Sequence, residues 1–191
     1  RKIRILIDEK KVSATLEKVV LADKNCTIHE YNPLAKVPTL IANDISIFDS
    51  PVIAEYVDQK SGLPYLIPSD FDKKILVKRW EAISDGLCDA AVAIMLEKRK
   101  PLSQQNTDLF EKQMRKIKLS LEWLNREMEG KEYYLDNKFS YADIAAGCAL
   151  GYVKLRYPEI DFKNEYLSLY RLYELLMQRS SFQTTAPEPY L

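Results

Sequence analysis

Apolar and polar positions follow two rhythms along this chain, a mixed one over the first third and a helical one from there on. That order predicts a small α/β unit followed by an all-helical one. The join falls in GLPYLIPSDF, Gly62 to Phe71, where a glycine and two prolines break both rhythms. Ser69, with Asp72 three residues on, has the form of a capping box opening the next helix. The predicted units are residues 1–68 and 69–191.

In the first unit, RKIRILIDEKK is ambiguous: Ile3, Ile5 and Ile7 alternate as in a strand, whereas Ile3, Leu6 and Ile7 share a helical face. Thr15 to Asp23, TLEKVVLAD, is short and β-branched and is expected to be a strand. Thr39 to Ala42 and Ile45 to Phe48 are two more strands, joined by Asn43-Asp44, residue types that tolerate the positive φ of a tight hairpin. Asp49-Ser50-Pro51 then predicts a helix start, with Ser50 as N-cap and Pro51 at the first helical position, where its missing N–H costs nothing. That helix should run to about Lys60, before Gly62.

In the second unit, Lys73 to Lys100 forms a long helix with an Ala-rich middle, stopped by Pro101. Phe110, Met114, Ile117, Leu121, Leu124 and Met128 recur at spacings of 4, 3, 4, 3 and 4, the seam of an amphipathic helix that packs in a bundle. Ser140 and Asp143 form a capping box ahead of an apolar run, a device that contributes about 1 kcal/mol. A last helix from about Asn164 to Arg179 precedes a tail whose Pro187 and Pro189 exclude helix.

Composition narrows the function classes. Lys plus Arg number 28 and Asp plus Glu 28, so no overall field favours nucleic acid, an anionic membrane or an acidic partner. The longest uncharged apolar stretch, Ile144 to Val153, is half of the roughly 20 residues a membrane span needs and predicts a buried helix. Three cysteines, Cys26, Cys88 and Cys148, with His29 as the only histidine, assemble neither a disulfide framework nor a zinc site, so no metal is expected. That usage fits a reducing cytoplasm. No signal-peptide pattern opens the chain, which starts on Arg rather than Met.

A hairpin preceded by Asn-Pro-Leu-Ala-Lys-Val-Pro and followed by Asp-Ser-Pro-Val-Ile-Ala-Glu-Tyr resembles the glutathione-binding half of a soluble, bacterial-type glutathione S-transferase. The Ser140/Asp143 box matches that family's sixth helix, and RSSFQTTAP resembles the RPSFxxT ending of bacterial members. The resemblance covers essentially the whole chain and implies a thioredoxin-like domain followed by a helical bundle, with RKIRILIDEKK as the family's first helix. It also implies a central strand and loop before that helix, about ten residues not present ahead of Ile3. In the family that loop carries the Ser, Tyr or Cys that contacts the glutathione sulfur, so the catalytic group is expected upstream of Arg1.

Glutathione is an extended tripeptide with two carboxylates, an amine and a thiol. The resemblance implies a cis Val37-Pro38 bond whose turn leaves the Val37 N–H and C=O free to pair with the ligand as an added strand. Taken alone, Pro38 also suits the start of an edge strand. Ser50 can offer its hydroxyl and the helix N-terminus to the γ-glutamyl carboxylate, and Asp49 can take the ammonium; taken alone, the pair suits an ordinary N-cap. Lys36 is the candidate for the glycyl carboxylate, against a simply solvated loop lysine. A free thiol titrates near pH 8.5, and lowering that by about two units takes roughly 2.7 kcal/mol of thiolate stabilisation. One hydroxyl hydrogen bond to a charged sulfur, about 1.5 to 3 kcal/mol, is of that size.

The function implied is attack of glutathione thiolate on a small hydrophobic electrophile held along Lys73 to Lys100, as in detoxification, by a cytoplasmic homodimer that binds neither nucleic acid nor membrane. A cysteine at the catalytic position would instead imply glutathione-dependent reduction. The alternatives are a non-enzymatic adaptor of the stringent starvation protein A type and a glutathione carrier without turnover, since fold does not fix function. Cys26 and His29 are expected on the surface, and Cys88 and Cys148 in the core.

Overall fold

Ile3, Ile5 and Leu6 settle the ambiguity near the start of the chain. In the computed structural model, which describes residues 1–187, they form the buried face of helix α1 (Lys2–Glu9). The backbone divides into two units between Ile67 and Pro68. In the first, a short helix α2 (Ile28–Tyr31) precedes strands β1 (Thr39–Ala42) and β2 (Ile45–Phe48), and helix α3 (Ser50–Ser61) follows. The strands pair antiparallel with Thr39 opposite Phe48 and Ala42 opposite Ile45. Asn43 and Asp44 turn the chain at φ of 49° and 65°, the positive values that a two-residue hairpin of this twist demands.

The strand expected over Thr15 to Asp23 is absent. Residues 15–20 have no regular structure, and Leu16 and Val20 are exposed. β propensity says that side chains suit a pleated surface, whereas a strand exists only where another strand takes its N–H and C=O groups. Among the described residues the sheet holds β1 and β2 alone.

The end of the first unit is fixed by a buried ion pair. Lys10, just past α1, and Asp58, on α3, meet at 3.0 Å with side chains 3% and 0% exposed. The Lys10 ammonium also donates to the carbonyls of Gly62 and Pro64. Asp58 accepts the N–H groups of Leu66 at 3.0 Å and Ile67 at 2.8 Å. One charge pair therefore satisfies the polar backbone of residues 62–67, a turn-rich stretch with no ladder of its own.

The second unit holds α4 (Phe71–Lys98), α5 (Thr107–Glu127), α6 (Tyr141–Arg156), α7 (Phe162–Glu165), α8 (Leu167–Leu176) and α9 (Ser180–Gln183). Helix α4 is capped by Asp70, which accepts the Lys73 N–H at 3.0 Å, and not by the expected Ser69. A carboxylate one residue on accepts more strongly than a hydroxyl and adds a favourable charge at the positive helix end. Helix α6 is the core of the bundle, buried without interruption from Tyr141 to Gly151. It packs against α4 and α8, and a Cβ on Gly147 would lie 2.6 Å from both Leu176 Cδ1 and Phe182 Cε1.

The predicted last helix is two, because Tyr166 at φ −137° breaks it between α7 and α8. Helix α8 has no cap from its own N-cap side chain. Instead Asn125 Oδ1, on α5, accepts the N–H groups of Ser168 at 3.0 Å and Leu169 at 3.2 Å. Pro187 is outside any helix, and Pro189 lies outside the described residues. No helix among the described residues is long and apolar enough to cross a membrane.

Candidate functional site

The hairpin register decides which candidate residues meet. With Thr39 opposite Phe48, the segment entering β1 and the segment leaving β2 are neighbours at one end of a ribbon whose strands lie about 4.8 Å apart. Val37-Pro38 and Asp49-Ser50 are therefore brought together, with Lys36 adjoining. The Val37-Pro38 bond is cis. Val37 is 49% exposed, and its N–H and C=O have no hydrogen-bond partner among the described residues. An extended ligand can pair with them as a third strand would.

Asp49 and Ser50 divide the helix start differently from the expectation. The N-cap is Asp49, at φ 69° and ψ 129°, and Ser50 is the first helical residue. The shift follows from the backbone: the Asp49 carbonyl already accepts the Val52 and Ile53 N–H groups at 3.1 and 3.0 Å, so helical bonding begins there. A positive φ outside the left-handed helical well costs a non-glycine residue about 1–3 kcal/mol, and such strain concentrates at ligand clamps. The Asp49 side chain makes no capping bond, and Ser50 keeps both hydroxyl and N–H without a partner among the described residues. This end of α3 thus offers two donors and the positive end of the helix dipole to an anion, with a carboxylate alongside for a cation.

Lys36 holds its place through its backbone. Its carbonyl accepts from Asn32 Nδ2 at 2.9 Å and Thr39 Oγ1 at 3.0 Å, while the residue itself is exposed. Asn32, 1% exposed, also accepts the Leu34 N–H at 2.9 Å. One buried amide thus braces the whole turn before Pro38 from inside. Sequence reasoning missed it: Asn-Pro marks a turn, but nothing in the string says that this amide points inward.

Ser140 and Asp143 do a separate job in the second unit. They form the expected capping box, in which Asp143 accepts the Ser140 N–H at 2.8 Å, the Ser140 hydroxyl at 2.9 Å and the Tyr134 N–H at 3.0 Å. Burial raises the Asp143 pKa to about 6 against the opposing pull of these hydrogen bonds. Cys26 is free and half-buried before α2, His29 is exposed, and Cys148 is buried.

Known proteins resemble this chain over nearly its whole length. Residues 1–65 match the family described as glutathione S-transferase, N-terminal domain, and residues 107–174 match glutathione S-transferase, C-terminal domain. An Escherichia coli K12 protein described as an uncharacterized GST-like protein, YibF, is 32% identical over 98% of this chain and 93% of its own length. A glutathione S-transferase from Methylobacillus flagellatus KT, solved with GSH bound, superposes with a TM-score of 0.95 at 43% identity, covering 98% of this chain and 93% of that one. A second, from Methylobacterium radiotolerans in complex with glutathione sulfonate, gives a TM-score of 0.94 at 31% identity over 100% of this chain and 90% of that one.

Proposed function

Because the chain belongs to the glutathione S-transferase family, we propose that it grips glutathione at the end of its hairpin and promotes attack of the thiolate on a small hydrophobic electrophile. The observation that carries this reading is the meeting of a free main-chain edge at Val37 with a donor-bearing helix start at Ser50. Glutathione needs both. Its cysteinyl backbone pairs with Val37, its γ-glutamyl carboxylate sits on the Ser50 hydroxyl and N–H, and its ammonium faces Asp49. Lys36, on the same turn, takes the glycyl carboxylate. Two similar transferases solved with GSH and with glutathione sulfonate support the ligand class.

This grip holds and orients the tripeptide so that its thiol is presented at a fixed place, which removes rotational freedom from the later bond-forming step. No residue of the described chain is assigned to activating the sulfur. The homodimer and cytoplasmic residence typical of the family belong to the same proposal.

Ser50→Ala tests it. Losing a hydroxyl bond to a carboxylate should weaken glutathione binding by about 1–3 kcal/mol, or roughly 5- to 150-fold. The thermal midpoint should stay put, because the Ser50 side chain has no hydrogen-bond partner among the described residues. Failure of the unmodified protein to bind glutathione at millimolar concentration, or unchanged affinity in the variant, would favour the adaptor reading instead.

A further inference from the structure

The peptide unit that joins Lys36 to Val37 is held from one side only. Its carbonyl, that of Lys36, accepts from Asn32 Nδ2 at 2.9 Å and from the Thr39 hydroxyl at 3.0 Å. Its N–H, that of Val37, has no partner among the described residues. This bond is trans, and in a planar trans peptide the C=O and N–H point in opposite directions. Fixing the carbonyl against two donors therefore aims the Val37 N–H away from Asn32 and Thr39.

The two donors also hold each other. Asn32 Nδ2 reaches the Thr39 hydroxyl oxygen at 3.3 Å, so amide, hydroxyl and carbonyl close a triangle. Asn32 is fixed at every other polar atom: its side-chain oxygen accepts the Leu34 N–H at 2.9 Å, its N–H bonds the Ile28 carbonyl at 2.9 Å, and its carbonyl accepts the Ala35 N–H at 2.8 Å. Thr39 is the first residue of β1, so the triangle ties the peptide plane to the hairpin ladder as well as to the end of α2.

We propose that Asn32 and Thr39 are positioning residues for glutathione, which act through the Lys36-Val37 peptide plane and set the direction of the N–H that pairs with the cysteinyl carbonyl of the tripeptide. This deepens the glutathione reading and rests on it. The effect falls on one hydrogen bond. Such bonds prefer angles above about 150° and weaken steeply below about 120°, so a freed peptide plane loses this bond while Ser50 and the Lys36 side chain keep theirs. A residue that merely kept the turn folded would affect all contacts alike.

Calorimetric titration of the full chain with glutathione, and with an analogue in which a trans alkene replaces the Cys-Gly amide, tests the proposal. The analogue keeps the ligand's shape and offers the Val37 N–H no acceptor. The unmodified protein should prefer glutathione by about tenfold or more. In Asn32→Ala and in Thr39→Val that preference should shrink to about threefold or less, through weaker binding of glutathione. Thr39→Ser, which keeps the hydroxyl, should retain it in full, and Ser50→Ala should weaken both ligands by one factor and leave the ratio intact. Circular dichroism checks each fold, and Thr39→Val, which removes the hydroxyl and keeps the side-chain shape, carries the test if Asn32→Ala does not fold. An undiminished preference in a folded Thr39→Val variant, an equal loss for both ligands, or a loss of preference in Thr39→Ser would overturn the assignment and leave glutathione binding standing. An unmodified protein that bound neither ligand, or both alike, would overturn the grip itself and this assignment with it.

Discussion

Replacing Asp58 with Asn changes one atom in the fully buried cluster that fixes residues 62–67, and its cost can be worked from the distances. Two unit charges 3.0 Å apart attract by about 5–6 kcal/mol at an effective dielectric of 20, much of it offset by desolvation. The aspartate also accepts two backbone N–H groups at 3.0 and 2.8 Å, and an amide can accept at only one of its two ends. Its NH₂ group would face the other N–H donor, leaving an unsatisfied pair that costs about 1–3 kcal/mol. Lys10 would keep its charge in a buried site with only neutral partners. Removing one member of such a pair costs about 3–5 kcal/mol, a large share of the roughly 5–15 kcal/mol that holds a typical domain together.

Urea unfolding of the wild type, Asp58→Asn, Lys10→Met and the double variant would measure the cost and the coupling. The double variant should lose less than the sum of the single ones, by about 1–3 kcal/mol, because the second change removes the stranded charge left by the first. Amide exchange at Leu66 and Ile67 should accelerate in Asp58→Asn beyond what global unfolding explains. A loss below about 1 kcal/mol, or strict additivity, would refute the picture of a clamp.

At Asp143 the folded pKa of about 6 lies above the ordinary 3.8. The native state therefore binds the proton more readily than the unfolded chain between those values, and this group's contribution, present in full below 3.8, is lost as pH rises through about 6, by on the order of 3 kcal/mol. The difference in unfolding free energy between the wild type and Asp143→Asn should fall across that window, and a flat or rising difference would contradict the burial account. Gly147→Ala places a methyl 2.6 Å from the Leu176 and Phe182 side chains, and should cost about 1–3 kcal/mol by overpacking. Thermal melts would show this as a lowered midpoint, whereas an unchanged one would mean that both neighbours move aside freely.

What was legible in the sequence was local chemistry. Val37 and Ser50 as two ends of one grip came only from the family resemblance, whereas Asn43-Asp44 has few conformations open to it besides a tight turn, so the hairpin could be read directly. The Ser140/Asp143 box announced α6 for the same reason. Features that depend on distant partners were not legible. Lys10 and Asp58 are 48 positions apart, and neither carries any mark of the other. Thr15 to Asp23 has strand-like residues but no ladder among the described ones. The seam of α5 is periodic from Phe110 onward, yet periodicity identifies a face without saying how far along a neighbour covers it, and Phe110 and Met114 stay half-buried where Ile117, Leu121 and Leu124 are buried. Ser50 was placed one position off because the carbonyl that starts a helix is chosen by φ and ψ, and several residue types suit that spot.

The way α8 begins imposes an order on assembly. A ten-residue helix is marginal in water on its own, and the amides at its start find their acceptor in a side chain some forty positions earlier in the chain. Helix α6 carries its own start signal, while α8 borrows one, so α8 becomes stable only once α5 is standing beside it. A chain interrupted before that moment would hold the central helix of the bundle but leave its last layer unformed, with the apolar face meant for that layer turned to solvent.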